Sequence, residues 1–422
     1  MYKVHKDPVI IDEKLCWKPR PVVSDCASVT NALSKWVDTM LQPMMQGLQT
    51  YFKDSFAFKA KLDTFVVPPR GRLFTCDAEG MYPNIETDIA MTSIAAFLRD
   101  EATQGQYPHY NANALIAALD IVFRNNVMQF GDTHWDQISG TSMGKPPAPP
   151  FASLFEGINE KKYLTTYKAN LPLYNRFIDD GIGCWVPLDH HNTADDDSQF
   201  ANFKEAVNSN CLNWIFTERS MSVDFMDMTL SIEGSKITTT LYEKPTALHL
   251  YIPPHSSHPP GCVKGHIYGE TIRINRLCSS REDIHNRMLT FFRRLRQRGY
   301  PPSFLIPQFE KALVKAAQFT ACSEAERAAK KRAQLEASRR RVYFHVDWHP
   351  QGPRAREIQQ QFESCVLTPP GKTPFNKLGF GGSDIPLDAM IIANHRTQNL
   401  GDKFSYRKLQ KRDGPSVSSL MK

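Results

Sequence analysis

The sequence predicts an α+β protein, and three observations carry that reading. Apolar runs of strand length, Leu73–Cys76, Tyr174–Trp185, Val223–Ile232 and Ile237–Tyr242, are bounded by turn residues. Asp88–Leu98 and Asn113–Phe123 instead repeat their apolar residues at helical spacing. Two breaks join strand-like runs as hairpins: Asp179-Asp180-Gly181 within Tyr174–Trp185, and Glu233-Gly234-Ser235 between the last two runs.

Proline punctuates the chain in between. Val66-Val67-Pro68-Pro69-Arg70-Gly71 leads into the buried strand at Leu73–Cys76. Pro146-Pro147-Ala148-Pro149-Pro150 reads as a rigid segment, with a helix over Phe151–Ile158 starting just after it. Beyond about residue 260 the composition turns basic. Eight arginines (273, 276, 281, 287, 293, 294, 296 and 298) stand against two acids, Glu282 and Asp283, and the basic helix-like stretch Glu324–Arg341 follows. Most of the formal net charge of +7 therefore lies in the C-terminal third.

Composition bounds the function. The 422 residues are 41% hydrophobic and 23% charged, a globular balance large enough for several lobes. No apolar run reaches the roughly 18–20 residues that span a bilayer, and Met1–Ile10 has no signal-peptide core. The nine cysteines are scattered, odd in number and without a CxxC pair, which argues for a reducing compartment and against a disulfide framework. His255, His258, Cys262, His266 and Cys278 lie near one another but lack the spacing of a structural zinc site. The positive excess permits a polyanionic partner.

Asp77, Asp179 and Asp180 each end or turn an apolar segment, where a buried charge needs compensation. Magnesium, a hard ion that takes carboxylate and phosphate oxygens, is the natural compensator. An aspartate at a strand end facing an Asp-Asp hairpin has the donors for two such ions. Taken alone, Asp179-Asp180-Gly181 reads more readily as an ordinary hairpin turn.

The motif order decides between these readings. Tyr2–Pro8 and Arg20-Pro21-Val22-Val23-Ser24 are followed by Thr75-Cys76-Asp77-Ala78-Glu79-Gly80-Met81-Tyr82-Pro83-Asn84-Ile85, then by Gln137-Ile138-Ser139-Gly140-Thr141-Ser142-Met143-Gly144 with Ala148-Pro149 and Ala152–Phe155. Arg176-Phe177-Ile178-Asp179-Asp180, Val223–Asp227, Leu241-Tyr242-Glu243-Lys244-Pro245-Thr246 and Ser257-His258-Pro259-Pro260 complete the series. In this order the sequence resembles the reverse transcriptases, and among them the Penelope-like retroelement group, over most of its length. Ser303–Leu313 and Asn394–Leu400 are similar to the group's thumb and C-terminal segments. The departures are Cys76 before the first aspartate, Pro83, Glu86, and Phe177 in place of tyrosine before Ile178-Asp179-Asp180.

The resemblance implies a right-hand polymerase fold: fingers over 1–70, a palm with an antiparallel sheet over 71–255 and a helical insertion at about 86–130, a helical thumb over 256–345, and a C-terminal extension over 346–422. It implies an RNA-directed DNA polymerase that adds dNTPs to a DNA primer on an RNA template, with magnesium or manganese as the cation. Asp77, Asp179 and Asp180 would be the catalytic carboxylates and, with the Ala78 carbonyl, the ligands of two ions. Tyr82 would be the gate against a ribose 2′-hydroxyl, and Arg20 the grip on the triphosphate. Lys3 and Lys6 would be further phosphate contacts, or plain surface lysines. Gln137 and Gly140 would line the nucleotide side. Lys244 would be a general acid for pyrophosphate or, equally, a solvated strand-end lysine. Arg273, Arg276, Arg287, Arg293, Arg294 and Arg296 would hold the template–primer backbone, with Phe291 and Phe292 in the thumb core. The group implies a nuclear location. Many members carry a longer N-terminal region and a GIY-YIG nuclease, neither of which is visible, so the expectation is a fragment or a variant extending pre-existing 3′ ends. The alternative is a decayed or domesticated nucleic-acid-binding relative without polymerisation.

Overall fold

Strand β3 (Arg72–Ala78) alternates its side chains so that Phe74, Cys76 and Ala78 enter the main core while Thr75 and Asp77 face the other side. Everything that positions the acidic residues is built around this strand. The computed structural model describes residues 9–11, 14–16, 22–26, 28–188, 193–256, 258–322, 324–338, 341–347, 356–358, 360 and 389–395. They fall into two compact units, Met1–Ala247 with Leu277–Asp283, and Leu248–Arg276 with Ile284–Lys422.

In the first unit β1 (Val9–Ile11) and β2 (Lys14–Cys16) form a small antiparallel pair. Helices α1 (Asn31–Gln46) and α2 (Ser55–Thr64) precede β3. After it come the single turn α3 (Met81–Asn84), then α4 (Thr87–Arg99), α5 (Glu101–Gln106) and α6 (Ala112–Arg124). The Asn111 side chain accepts from the Ala114 N–H at 3.0 Å and caps α6, which is why that helix begins there. An exposed hairpin, β4 (Val127–Phe130) and β5 (Thr133–Asp136), leads to α7 (Ala148–Thr166). The remaining elements are β6 (Leu173–Phe177), β7 (Asp180–Trp185), α8 (Thr193–Val207) and β8 (Trp214–Phe216), followed by β9 (Ser222–Phe225), β10 (Met228–Glu233) and β11 (Lys236–Leu241).

The central sheet is antiparallel with order β6-β7-β3-β8. Its inner face packs on α1, α4, α6, α7 and α8, where Trp185, Phe200 and Phe203 cluster with ring centroids 5.0–6.0 Å apart. Burying each such ring contributes roughly 1.5–3 kcal/mol. Two glycines make the close packing of β7 on β3 possible. A Cβ on Gly181 would lie 2.4 Å from Cys76 Sγ, and one on Gly183 would lie 2.4 Å from Phe74 Cζ. The small thiol of Cys76 thus fits where a bulkier side chain before Asp77 would press on β7.

Three local expectations shift. The hairpin turn sits at Ile178-Asp179, one residue earlier than Asp179-Asp180-Gly181 suggests, and Asp180 already pairs in β7. The run Val223–Ile232 is two strands, because Met226 takes φ 53° and reverses the chain between β9 and β10. Helix α7 starts at Ala148 and takes Pro149 and Pro150 into its first turn, where a missing N–H costs no hydrogen bond.

In the second unit α9 (Pro260–Leu277), α10 (Arg281–Gln297) and α11 (Pro302–Ala321) share an aromatic core, with Phe291 and Phe292 each within 5.4 Å of Phe309. Helix α12 (Glu324–Ser338) follows, and β12 (Arg341–Asp347) pairs in parallel with β13 (Ala389–His395). Among the described residues no helix is long and apolar enough to cross a membrane.

Candidate active site

Asp77 and Asp180 are direct cross-strand partners in the β3–β7 register, so their side chains leave the sheet on the same face. Asp179 occupies the turn beside them. Its carbonyl accepts the Ala78 N–H at 2.9 Å, which ties the turn to the end of β3. The three sequence-predicted carboxylates are thus gathered at one end of the sheet, with Ala78 buried next to them.

Their charges act on one another. The Asp180 carboxyl is pushed up to about 6, first by burial, then by the negative charges of Asp179 and Asp77, while Lys244 pulls it back. Lys244 is exposed, yet its charge reaches this carboxylate. The Tyr82 phenol is raised to about 12 by burial and by the Asp179 charge, which places the ring within reach of the same cluster. Among the described residues no three His, Cys, Asp or Glu side chains already stand at ligand spacing. The chemistry of the donor set is nonetheless that of a hard divalent cation's ligands: three carboxylates at one end of the sheet offer oxygen donors only and an excess of negative charge.

The sign of the Asp180 shift gives a stability test. Folding raises its affinity for a proton above that of the unfolded chain, so stability falls as pH rises from about 4 to about 6 and is level above that. Without divalent cations, Asp180→Asn is expected to melt above the wild type at pH 8 and with it at pH 4. Equal melting temperatures at both pH values would contradict the repulsion.

The Tyr82 backbone is held by the Gly140-Thr141 segment. Tyr82 lies two residues after the αL glycine Gly80, and its carbonyl accepts the Thr141 N–H at 2.6 Å. Gly140 (φ 84°) lies against this backbone, where an added Cβ would come within 2.9 Å of Pro83. Gln137 turns inward locally, its amide donating to the Ser139 carbonyl at 2.9 Å. An open pocket of about 400 Å³ lies between Tyr82, Met143–Pro146, Ala148 and Pro149.

Gly144 has a sharper requirement. At φ 111° its added Cβ would lie 1.8 Å from the Val23 carbonyl oxygen, and Val23 donates its N–H to the Met143 carbonyl at 3.0 Å. Gly144→Ala is expected to expel the Val23 segment and lower the melting temperature by several degrees, the effect of roughly 1–3 kcal/mol of backbone strain. An unchanged melting temperature would contradict this close approach.

Arg20, Lys3 and Lys6 lie outside the described residues. In the second unit several of the predicted nucleic-acid arginines make internal contacts. Arg273 pairs with Glu270 at 3.1 Å, and Arg276 lies 5.4 Å over the Phe319 ring. Arg294 approaches His249 Nδ1 at 3.4 Å and Arg296 donates to the Tyr300 carbonyl at 2.7 Å. Arg293 is exposed and Arg287 half-buried on α10.

Sequence reasoning assigns no role to the polar network under the site. Glu156 and Glu160 on α7, Thr50 and Arg176 are all buried. Burial first, against the opposing pull of Arg176, pushes the Glu156 carboxyl up to about 7. Lys145 is buried too, its ammonium donating to Thr30 Oγ1 at 3.0 Å and the Val122 carbonyl at 2.8 Å. The available signal was an arginine two residues before an apolar turn and carboxylates four apart on an apolar helix.

Comparison with known proteins gives likenesses of two kinds. The family profile described as "Animal helix-turn-helix domain" matches residues 250–310. No curated protein matches the chain. Among solved structures, telomerase from Candida albicans in complex with a TWJ fragment of telomeric RNA is 10% identical and covers 69% of this chain and 48% of that one, with a TM-score of 0.47. Apo telomerase from Candida tropicalis is 9% identical over 70% of this chain and 54% of that one, with a TM-score of 0.39. The BmCPV RNA-dependent RNA polymerase at elongation state is 12% identical over 67% and 25%, with a TM-score of 0.43. The chain spans about half the length of the telomerase chains it matches.

Proposed function

We propose that this chain is a template-directed nucleotidyltransferase, an RNA-directed DNA polymerase of the Penelope-like type. The observation that carries the reading is the placement of Asp77 directly opposite Asp180 with Asp179 on the adjoining turn. Their mutual repulsion marks a site that gains by collecting divalent cations. The ordered motif series of the sequence supports the same reading.

Magnesium, when bound, would lower the barrier by neutralising charge on the attacking hydroxyl and the departing pyrophosphate. The chain's own residues do the rest. Asp77, Asp179 and Asp180, with the Ala78 carbonyl, would hold the cations. Tyr82 would stand against the 2′ position of the incoming sugar beside the pocket lined by Met143–Pro146. Gly140, pressed on the Tyr82-Pro83 backbone, would hold that ring in place. Lys244, whose charge reaches Asp180, would donate a proton to pyrophosphate. Arg20, Lys3 and Lys6 would contact the triphosphate. The exposed cationic side chains of α10 would bind the template–primer backbone, by a contact that weakens with salt.

The test is run-off synthesis on an RNA template annealed to a DNA primer, with dNTPs and magnesium and a DNA template in parallel. Template-length products on RNA support the reading. Duplex binding without extension on either template would leave a nucleic-acid-binding relative and overturn it.

A further inference from the structure

We infer that Arg176, braced by Glu160, is a positioning residue that holds the Asp179 turn in a conformation its own sequence disfavours. The inference rests on the proposed site, since it explains how Asp179 is aimed there.

Ile178 sits at φ 56°, in the left-handed region. A β-branched side chain is an outlier there, because its Cβ crowds the following carbonyl. Such a residue persists only where its surroundings over-determine it. The Ile178 side chain rests partly buried against the core, and its carbonyl is met by one guanidinium. Arg176 Nη1 donates to the Ile178 carbonyl at 2.8 Å, and Nη2 donates to the Ser153 carbonyl on α7 at 3.0 Å. Nε and Nη2 grip the two oxygens of Glu160 at 2.5 and 3.2 Å. Glu160 is fixed in turn by the Thr50 hydroxyl at 2.6 Å, and the Thr50 carbonyl accepts both the Arg176 N–H at 3.0 Å and the Asn175 side-chain amide at 2.9 Å.

The pair is almost wholly buried, with side-chain exposures of 2% and 3%. A buried ion pair is poor value for stability alone, since an apolar pair of similar volume is often as stable or more so. What an apolar pair lacks is a fork of donors aimed at one strained carbonyl. Lysine lacks it as well, because a point charge offers no rigid fork. The line of force runs from α7 through Glu160 and Arg176 to Ile178, and from there to Asp179, whose carbonyl is locked to the Ala78 N–H.

The experiment compares wild type, Arg176→Lys, the apolar replacement R176M/E160M/T50V, and each variant with Ile178→Gly added. Glycine adopts the left-handed conformation without steric cost and so removes the need for the clamp. Readouts are melting temperature, amide hydrogen exchange at residues 178–180 and at Ala78, Mn2+ affinity by EPR, and primer extension. In whichever variant keeps the wild-type melting temperature, exchange at the turn is expected to quicken about tenfold. Mn2+ affinity and extension should fall by about 10- to 100-fold, the usual effect of losing an outer support, and Ile178→Gly should restore a large part of both. Unchanged exchange, or quicker exchange with unchanged Mn2+ affinity, would overturn the inference. So would failure of Ile178→Gly to restore anything. Arg176-dependent turn order in a protein that extends no primer would keep this inference and refute the polymerase.

Discussion

Asp179→Asn is expected to slow nucleotide addition at least about a hundredfold, the scale of removing one preorganised electrostatic contact from a transition state, while leaving a protein that melts no lower than the wild type. The two effects have one cause. The Asp179 charge helps to raise the Asp180 carboxyl, so the folded chain holds the two carboxylates side by side against repulsion. Asparagine keeps the shape and the backbone link to Ala78 but removes that charge. Single-turnover extension and thermal melting of the same preparation check the pairing. A slow variant that also melts far lower would mean that the turn had collapsed, and a fast variant would remove Asp179 from the chemistry.

Tyr82→Ala is expected to erase sugar selectivity. The ring is half-buried against the core, and its backbone is clasped by Thr141 and Gly140. A ring so placed would discriminate by occupying space, and pockets of this kind accept or refuse a single added group by roughly a hundredfold. The ratio of dNTP to rNTP incorporation should therefore drop by about that factor in Tyr82→Ala and stay near the wild-type value in Tyr82→Phe. Loss of selectivity in the phenylalanine variant would shift the role from ring to hydroxyl.

How much of this was legible in the sequence varies with the range of the interaction involved. The β6–β7 hairpin could be read because a local apolar pattern broken by polar turn residues specifies it. Its turn could not be placed, because Ile178 takes a left-handed conformation supported by Arg176, which also reaches Glu160 sixteen positions away. The cross-strand pairing of Asp77 with Asp180 follows from strand register, which no local pattern contains. Cys76 looked like a blemish in its motif and proves to be the side chain that fits over Gly181. Glu156 and Glu160, four apart on a helix, carry the signature of a solvated face; the packing of α7 among α1, α4 and α8, with Arg176 over Glu160, buries them. The arginines of α10 read as one basic surface, yet Arg294 and Arg296 spend their donors inside the second unit.

The most direct test of the central claim is addition of a single nucleotide. Wild-type protein, an RNA template, a DNA primer, magnesium and one dNTP at a time should give a primer longer by one residue, only with the dNTP complementary to the template, with pyrophosphate released in equal amount and no product from Asp77→Asn. Absence of any extension by the wild type, or the same extension by Asp77→Asn, would contradict it.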